Sequence, residues 1–265
     1  VSATQHSILS ISGLNVSFGG IQALSDVSID VPANSIVGLI GPNGAGKTTL
    51  FNSISGLVTP TSGIFTSARS NHKFPKPHEL HKYGIARTLQ GVGLFNDLTV
   101  LENVMIGGDV QNKTGFFRDL LGLSGKSEAL LTERAESALA WTGALALANL
   151  NPSQLTYPDS KRVALARALV SNPKVLLLDE PAAGLGQDDI DSLAQLLFQL
   201  KRKCAILIVE HHVDFVSKIS DYVYVLNFGK KIAEGSFDEV KRNPQVVEAY
   251  LGHSKSTNQS SHLGA

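Results

Sequence analysis

The string GPNGAGKTT at positions 41–49 constrains what this chain can fold into more than any other feature. It follows the apolar run IVGLI and precedes LFNSISGL, which can continue as a helix, so the pattern G-x-x-x-x-G-K-[ST] lies between a strand and a helix. Glycines let the backbone curl until successive N–H groups and the positive end of the following helix face one point, where phosphate oxygens can sit. Gly41, Pro42, Asn43, Gly44, Ala45, Gly46, Lys47, Thr48 and Thr49 are therefore the candidate nucleotide-binding residues. Lys47 supplies a point charge for the β- and γ-phosphates, and the Thr48 hydroxyl is a candidate magnesium ligand. The expected class is α/β, a phosphate-loop NTPase built on a mixed or parallel core sheet.

A phosphate loop does not by itself name the nucleotide or the reaction. VLLLDEP at 175–181 reads as a strand whose carboxyl end carries Asp179, a magnesium ligand through the metal's water shell, and Glu180, a general base for an attacking water. The run AILIVE at 205–210 delivers His211, whose imidazole can reach a γ-phosphate. A rival reading makes His211, His212 and Asp214 a metal site, although their spacing suits one helix or strand face poorly. A GTPase would need an Asn-Lys-x-Asp string, and NKTG at 112–115 lacks the Asp, so adenine is favoured. Phe18 is either the platform on which adenine stacks or a buried core residue.

The remainder of the chain supplies the scaffold. Residues 8–40 alternate apolar and polar positions between turns at Gly19-Gly20 and Pro32-Ala33-Asn34, which predicts a small N-terminal β subdomain. Between about 96 and 150 the pattern becomes helical, with Leu130, Leu131, Ala135, Ala138 and Leu139 on one stripe and Gly143 as a stop. This reads as an inserted helical subdomain at 93–165. Ile190, Leu193, Leu197 and Leu200 form a further helical stripe, with Asp188, Asp189 and Asp191 expected in its first turn and Lys201-Arg202-Lys203 at its end. One domain is expected over 1–252, with a polar, disordered tail at 253–265. The segment 67–84, rich in His, Lys and Pro, reads as a solvated loop, with a local anion or regulatory site as the alternative. Cys204 is the single cysteine, so no internal disulfide can form, and a core filler is expected. Lys+Arg 23 against Asp+Glu 23 leaves no overall field for nucleic acid. No stretch reaches the ~18 apolar residues of a membrane span, and VSATQHSILS has no secretory-signal pattern, so a cytoplasmic protein is expected.

These motifs resemble the ATP-binding subunits of ABC transporters, and within them the importer subunits for branched-chain amino acids. The likeness runs from SGLNVSFGGIQALSDVSI to GKKIAEGSFDEVKRNPQVVEAYLG, and GIARTLQGVGLFNDLTVLENVMIGG resembles the amino-acid subfamily in particular. The resemblance implies an ATPase that uses ATP and Mg2+, and it places the glutamine-loop residue, a reader of the γ-phosphate and a magnesium ligand, at Gln90. It implies a head-to-tail dimer holding two ATP molecules, each between one chain's phosphate loop and the other's signature loop. Integral-membrane permeases would dock near the segment after Gln90, with Leu94, Phe95 and Leu98 as candidate groove residues or as ordinary packing. It further implies an extracytoplasmic substrate-binding protein as an indirect partner and a place on the cytoplasmic face of a bacterial inner membrane.

The departures from the family pattern matter as much. Where the signature reads approximately Leu-Ser-x-Gly-Gln, this chain has Leu155, Thr156, Tyr157, Pro158 and Asp159, followed by a well-matched KRVALARAL. Pro158 replaces a glycine whose N–H would face phosphate, and Asp159 adds a negative charge. In AAGLGQDD, Gly186 stands where the family carries Asp or Asn. Both altered elements act in trans, whereas Lys47, Thr48, Gln90, Asp179, Glu180 and His211 are retained, so a heterodimer with a second, intact ATPase subunit is expected. Competing readings are a urea or short-amide importer, a nucleotide binder of weak turnover, and a non-transport ABC protein.

Overall fold

In the computed structural model, residues 7–67, 70–88, 91–109 and 125–256 are described. The first elements are β1 (Ser7–Phe18), β2 (Ile21–Pro32), β3 (Ile36–Ile40), α1 (Lys47–Ile54), β4 (Ser62–Ser67) and β5 (Ser70–His72). They are followed by β6 (Ile85–Arg87), α2 (Val100–Asp109), α3 (Gly125–Trp141), α4 (Tyr157–Leu169), β7 (Val175–Asp179) and α5 (Gln187–Leu200). The last are β8 (Ala205–Val209), α6 (Val213–Ile219), β9 (Tyr222–Asn227), β10 (Lys230–Gly235), α7 (Phe237–Val240) and α8 (Pro244–Ser256). Two compact units result: Val1–Leu80 with Leu197–Ala265, and His81–Leu196. The expected insertion at 93–165 lies wholly within the second unit, which also takes in β6, β7 and most of α5.

In the first unit, β1 and β2 form a hairpin that β4 and then β5 extend into an antiparallel sheet. The buried positions of β1 shift from odd, Leu9 and Ile11, to even, Leu14 and Val16. A register irregularity between Ile11 and Leu14 causes this, because one inserted residue turns every later side chain to the other face. The second sheet has β3 parallel to both β8 and β9, and β10 antiparallel to β9. Every residue of β3 and β8 is buried, as continuous apolar runs require in a strand covered on both faces. Ile40, Val216, Val223, Val225, Val240 and Val246 form one of its cores, and Cys204 is a buried free thiol.

In the second unit, β6 and β7 pair in parallel, and α2, α3 and α4 pack around Val104, Ala135, Leu139, Val163 and Ala166. Leu131 joins this core, but Leu130 is half exposed, correcting the expected stripe: it sits 100° round the helix from Leu131, beyond the buried arc. Gly143 does end α3. With φ +71 it lets its own N–H reach Ala140 O at 3.1 Å while Ala144 N–H reaches Leu139 O at 2.8 Å, the paired bonds of a Schellman cap. Helix α5 opens with Asp188 and Asp189 in its first turn. Asp191 lies beyond that turn, and the basic residues 201–203 follow the helix end rather than occupy it.

The segment 67–84 carries more structure than the expected loop. It contains β5 and a 3-10 stretch over Pro77–Tyr83, and Phe74 packs its ring 5.7 Å from that of Phe65. Helix α8 reaches Ser256, past the boundary expected at Gly252, and 257–265 lie outside the described residues. No helix among the described residues is long and apolar enough to cross a membrane.

Candidate nucleotide site

The phosphate loop emerges from the buried strand β3 and turns into α1 in the first unit. Gly44 and Gly46 take φ of +78 and +100, conformations that a side chain disfavours, and a Cβ on Gly46 would meet Leu24 at 2.7 Å. Gly46 is also the N-cap of α1 and offers no side chain to the first turn, leaving the positive end of the helix to a ligand. The Lys47 ammonium is buried and donates to Gly41 O at 2.7 Å and Pro42 O at 3.0 Å, so the loop is wrapped around its own cation.

A cavity of about 420 Å³ opens on this loop, lined by Asn43 through Thr49 together with His211. Ile21, Gln22, Ala23, Phe228 and Gly229 complete it. The β9–β10 turn is pinned there by Gly229 N–H to Ala45 O at 3.0 Å and Ser25 N–H to Gly229 O at 2.8 Å. Phe18 is half exposed and is not among the lining residues of this cavity, although its strand partner Ile21 is. It is therefore not the buried core residue of the alternative reading. A second cavity of about 260 Å³ is lined by Gly41, Pro42, Asn43, His211, Ala249 and Tyr250. The Tyr250 phenol bonds the Gly41 backbone, and burial pushes its pKa above the usual value.

His211 thus borders both cavities. No three His, Cys, Asp or Glu side chains gather into a metal-binding group among the described residues, which leaves the rival metal reading of His211, His212 and Asp214 without support. Its neighbour Glu210 went unread in the sequence as the polar end of an apolar run. Glu210 is 1% exposed, and its carboxylate accepts from the His211 N–H at 3.1 Å.

The carboxylates belong to the second unit. Asp179 ends β7 and is buried, where it accepts from Arg87 Nη2 at 2.9 Å. Glu180 follows at φ +48, an uncommon conformation for a residue with a Cβ. The backbone there is fixed by Lys161, whose ammonium donates to Glu180 O at 3.3 Å and Pro181 O at 2.8 Å. The Thr48 hydroxyl of the first unit and the Asp179 carboxylate of the second are both oxygen donors. That chemistry fits magnesium, which takes one or two protein ligands and completes its shell from phosphates and water. Gln90 lies outside the described residues.

The segment Thr156–Asp159 opens α4 with Thr156 as N-cap and Pro158 in the first turn. Thr156 Oγ1 accepts from Asp159 N–H at 3.3 Å and donates to Asp159 Oδ2 at 2.7 Å, while Ser160 N–H is taken by Thr156 O at 2.9 Å. Pro158 has no N–H, so this helix start has few donors left for an anion. Asp159 is partly offset by Arg162, 3.4 Å away, which also reaches Asp189 at 3.7 Å. Tyr157 donates to Ala183 O at 3.4 Å, tying the segment to the loop that holds Gly186. Nothing lies within 4 Å of a Cβ on Gly186, so no local packing demands glycine there.

Further along, Phe95 is exposed while Leu94 packs against the helical core and Leu98 is partly buried. The fully buried Asn103 holds this turn: it accepts from Phe95 N–H at 2.8 Å and donates to Phe95 O at 3.0 Å and Thr99 O at 2.9 Å. Arg167 adds bonds to Gly93 O at 2.7 Å and Val92 O at 3.0 Å.

Comparison with known proteins agrees with this geometry. Residues 24–183 match the ABC transporter family, and residues 230–256 match the branched-chain amino acid ATP-binding cassette transporter family. The chain is 41% identical over 252 residues to the high-affinity branched-chain amino acid transport ATP-binding protein LivG of Salmonella typhimurium, covering 92% of this chain and 98% of that protein. It is 35% identical to BraF, the corresponding protein of Pseudomonas aeruginosa, with the same coverage of each. The crystal structure of the ADP conformation of MJ1267, an ATP-binding cassette of an ABC transporter, superposes with a TM-score of 0.81 at 32% identity, covering 93% of this chain and 99% of that one. The chain belongs to the ABC transporter family of ATP-binding subunits, on the branch of the branched-chain amino acid transport proteins.

Proposed function

We propose that this chain is the ATP-hydrolysing motor of a membrane importer for branched-chain or other small amino acids, working on the cytoplasmic face of the membrane beneath its permeases. The observation that carries the reading is the buried Lys47 inside a phosphate loop bordering a 420 Å³ cavity, in a chain 41% identical to a LivG protein over nearly its whole length. Lys47 and the loop N–H groups bind the β- and γ-phosphates, and Phe18, beside Ile21 at the tip of the β1–β2 hairpin, serves as the adenine platform. Thr48 and Asp179, with Gln90, would hold magnesium, whose charge neutralises phosphate oxygens when it is bound. Glu180 takes a proton from the attacking water, and His211 contacts the γ-phosphate. The Asn103-stapled turn offers Phe95 to a permease helix. ATP drives the permease only in so far as it binds the closed dimer more tightly than the open one.

The partner across that dimer is a second ATPase subunit with an intact signature, and an extracytoplasmic binding protein delivers the cargo. Support comes from the start of α4, where Pro158 lacks a donor and Thr156 has spent its hydroxyl on Asp159. The test of the motor assignment is Glu180→Gln in the assembled complex. ATP binding is expected to persist while turnover falls by about 10²–10⁴-fold. Loss of nucleotide binding, or unchanged turnover, would overturn the role given to Glu180.

A further inference from the structure

Arg87 ends β6 and Asp179 ends β7, and the parallel register, with Arg87 opposite Leu177, sets these strand ends side by side. Their ion pair is 2.9 Å long between side chains only 9% and 3% exposed. A buried carboxylate requires a nearby positive charge, and a guanidinium is held in such a place only against an opposite one. Between these two side chains the contact is single, Nη2 to Oδ2, rather than the two-armed fork that makes Arg–carboxylate pairs tight. A contact of that kind can be surrendered to a stronger cation.

We propose that Arg87 is a positioning residue that holds the Asp179 carboxylate in the place of the metal, and that magnesium binds by displacing it. The proposal rests on the reading of Asp179 as a magnesium ligand. One consequence follows from the charge. A fixed guanidinium at this carboxylate repels an incoming dication, so the native protein binds metal more weakly than a neutral variant would. Arg87 is also three residues before Gln90, on a strand end fastened by Thr88 N–H to Leu177 O at 3.0 Å.

The experiment is a Mn2+ titration, followed by electron paramagnetic resonance, of the full chain saturated with ADP. Arg87→Met and Arg87→Gln are expected to tighten Mn2+ on the order of tenfold, and Arg87→Lys, which keeps the charge, to stay within about threefold of the native value. Asp179→Asn should weaken Mn2+ by about tenfold or more. Arg87→Met should also gain more thermal stability from Mn2+ with ADP than the native chain does, a difference that a merely structural salt bridge would not produce. If Asp179→Asn weakens the metal while the neutral Arg87 variants leave it unchanged or weaker, the displacement proposal fails and the magnesium assignment stands. If Asp179→Asn has no effect, both fail. Should neither neutral variant fold, hydrogen exchange at the Arg87 Nε–H of the native chain, followed by NMR, must accelerate on metal addition; unchanged exchange overturns the proposal.

Discussion

Lys47, Asp179 and Glu210 are charged side chains drawn into the interior, and Lys47 and Asp179 hold specific opposite-polarity partners within their own unit. Lys47 and Asp179 were legible in the sequence because fixed spacing surrounds them. Arg87 and Glu210 were not, since neither position belongs to a pattern and their roles arise from strand register and burial. Glu180 could be named from its place after VLLLD, but its left-handed backbone could not. The lone cysteine gives a residue-scale prediction with a definite sign. Burial pushes the Cys204 thiol up to about 11. At pH 8 its thiolate population, and hence its reaction with Ellman's reagent, should be on the order of a hundredfold below that of the unfolded chain. The raised value also means that the folded protein keeps a proton that the unfolded chain loses above its ordinary thiol range. Stability is therefore fully retained below about pH 9 and declines by about 2–3 kcal/mol on the way to pH 11, measurable as a falling urea midpoint. Rapid labelling of the native protein at pH 8 would contradict the burial.

Among the elements, the ones read best from sequence are those whose burial is simplest. IVGLI, VLLLD and AILIV are apolar throughout apart from the terminal Asp179 and form β3, β7 and β8 at the positions their runs predict. Amphipathic elements were read less well, because one residue at the edge of a stripe, such as Leu130, falls on either side of it according to how the neighbouring helices pack. The 67–84 segment was misjudged for a related reason: its polar composition conceals two apolar anchors, Phe74 against Phe65 and Pro75, whose carbonyl would lie 2.1 Å from a Cβ on Gly56. Two glycines separate packing from backbone strain. Gly143 sits at φ +71 in open space, so Gly143→Ala should cost about 1–2 kcal/mol through the cap alone and leave the helices in place. Gly107 has an ordinary helical backbone, yet a Cβ there would lie 2.0 Å from Arg167 O. Gly107→Ala should cost about 2 kcal/mol or more by prising α2 from α4, with loss of amide protection at 92–99, where Arg167 bonds Val92 and Gly93. Equal effects from both substitutions in urea melts would show that the close approach of the two helices is wrong.

For the molecule as a whole, the sequence names the machine but not its cargo. What it does carry is an imbalance between intact phosphate-loop and strand-end motifs and an altered signature segment, which in the proposed dimer would be lent to the partner. At the start of α4 the Thr156 hydroxyl is engaged by Asp159, and nothing lies within 4 Å of a Cβ on Gly186. Restoring the signature by Pro158→Gly with Asp159→Gln, together with Gly186→Asp, is accordingly expected to fold normally and to raise the ATPase rate of this chain alone. Removing one transition-state donor typically costs ~3 kcal/mol, about a hundredfold in rate, which sets the scale of the recovery. The most direct measurement is to purify the complex with the proposed second ATPase subunit and replace the two phosphate-loop lysines one at a time. Lys47→Ala should abolish ATP hydrolysis, while the equivalent change in the partner should leave a substantial fraction of it. Equal loss from the two changes, or ordinary hydrolysis by this chain alone, would contradict the account.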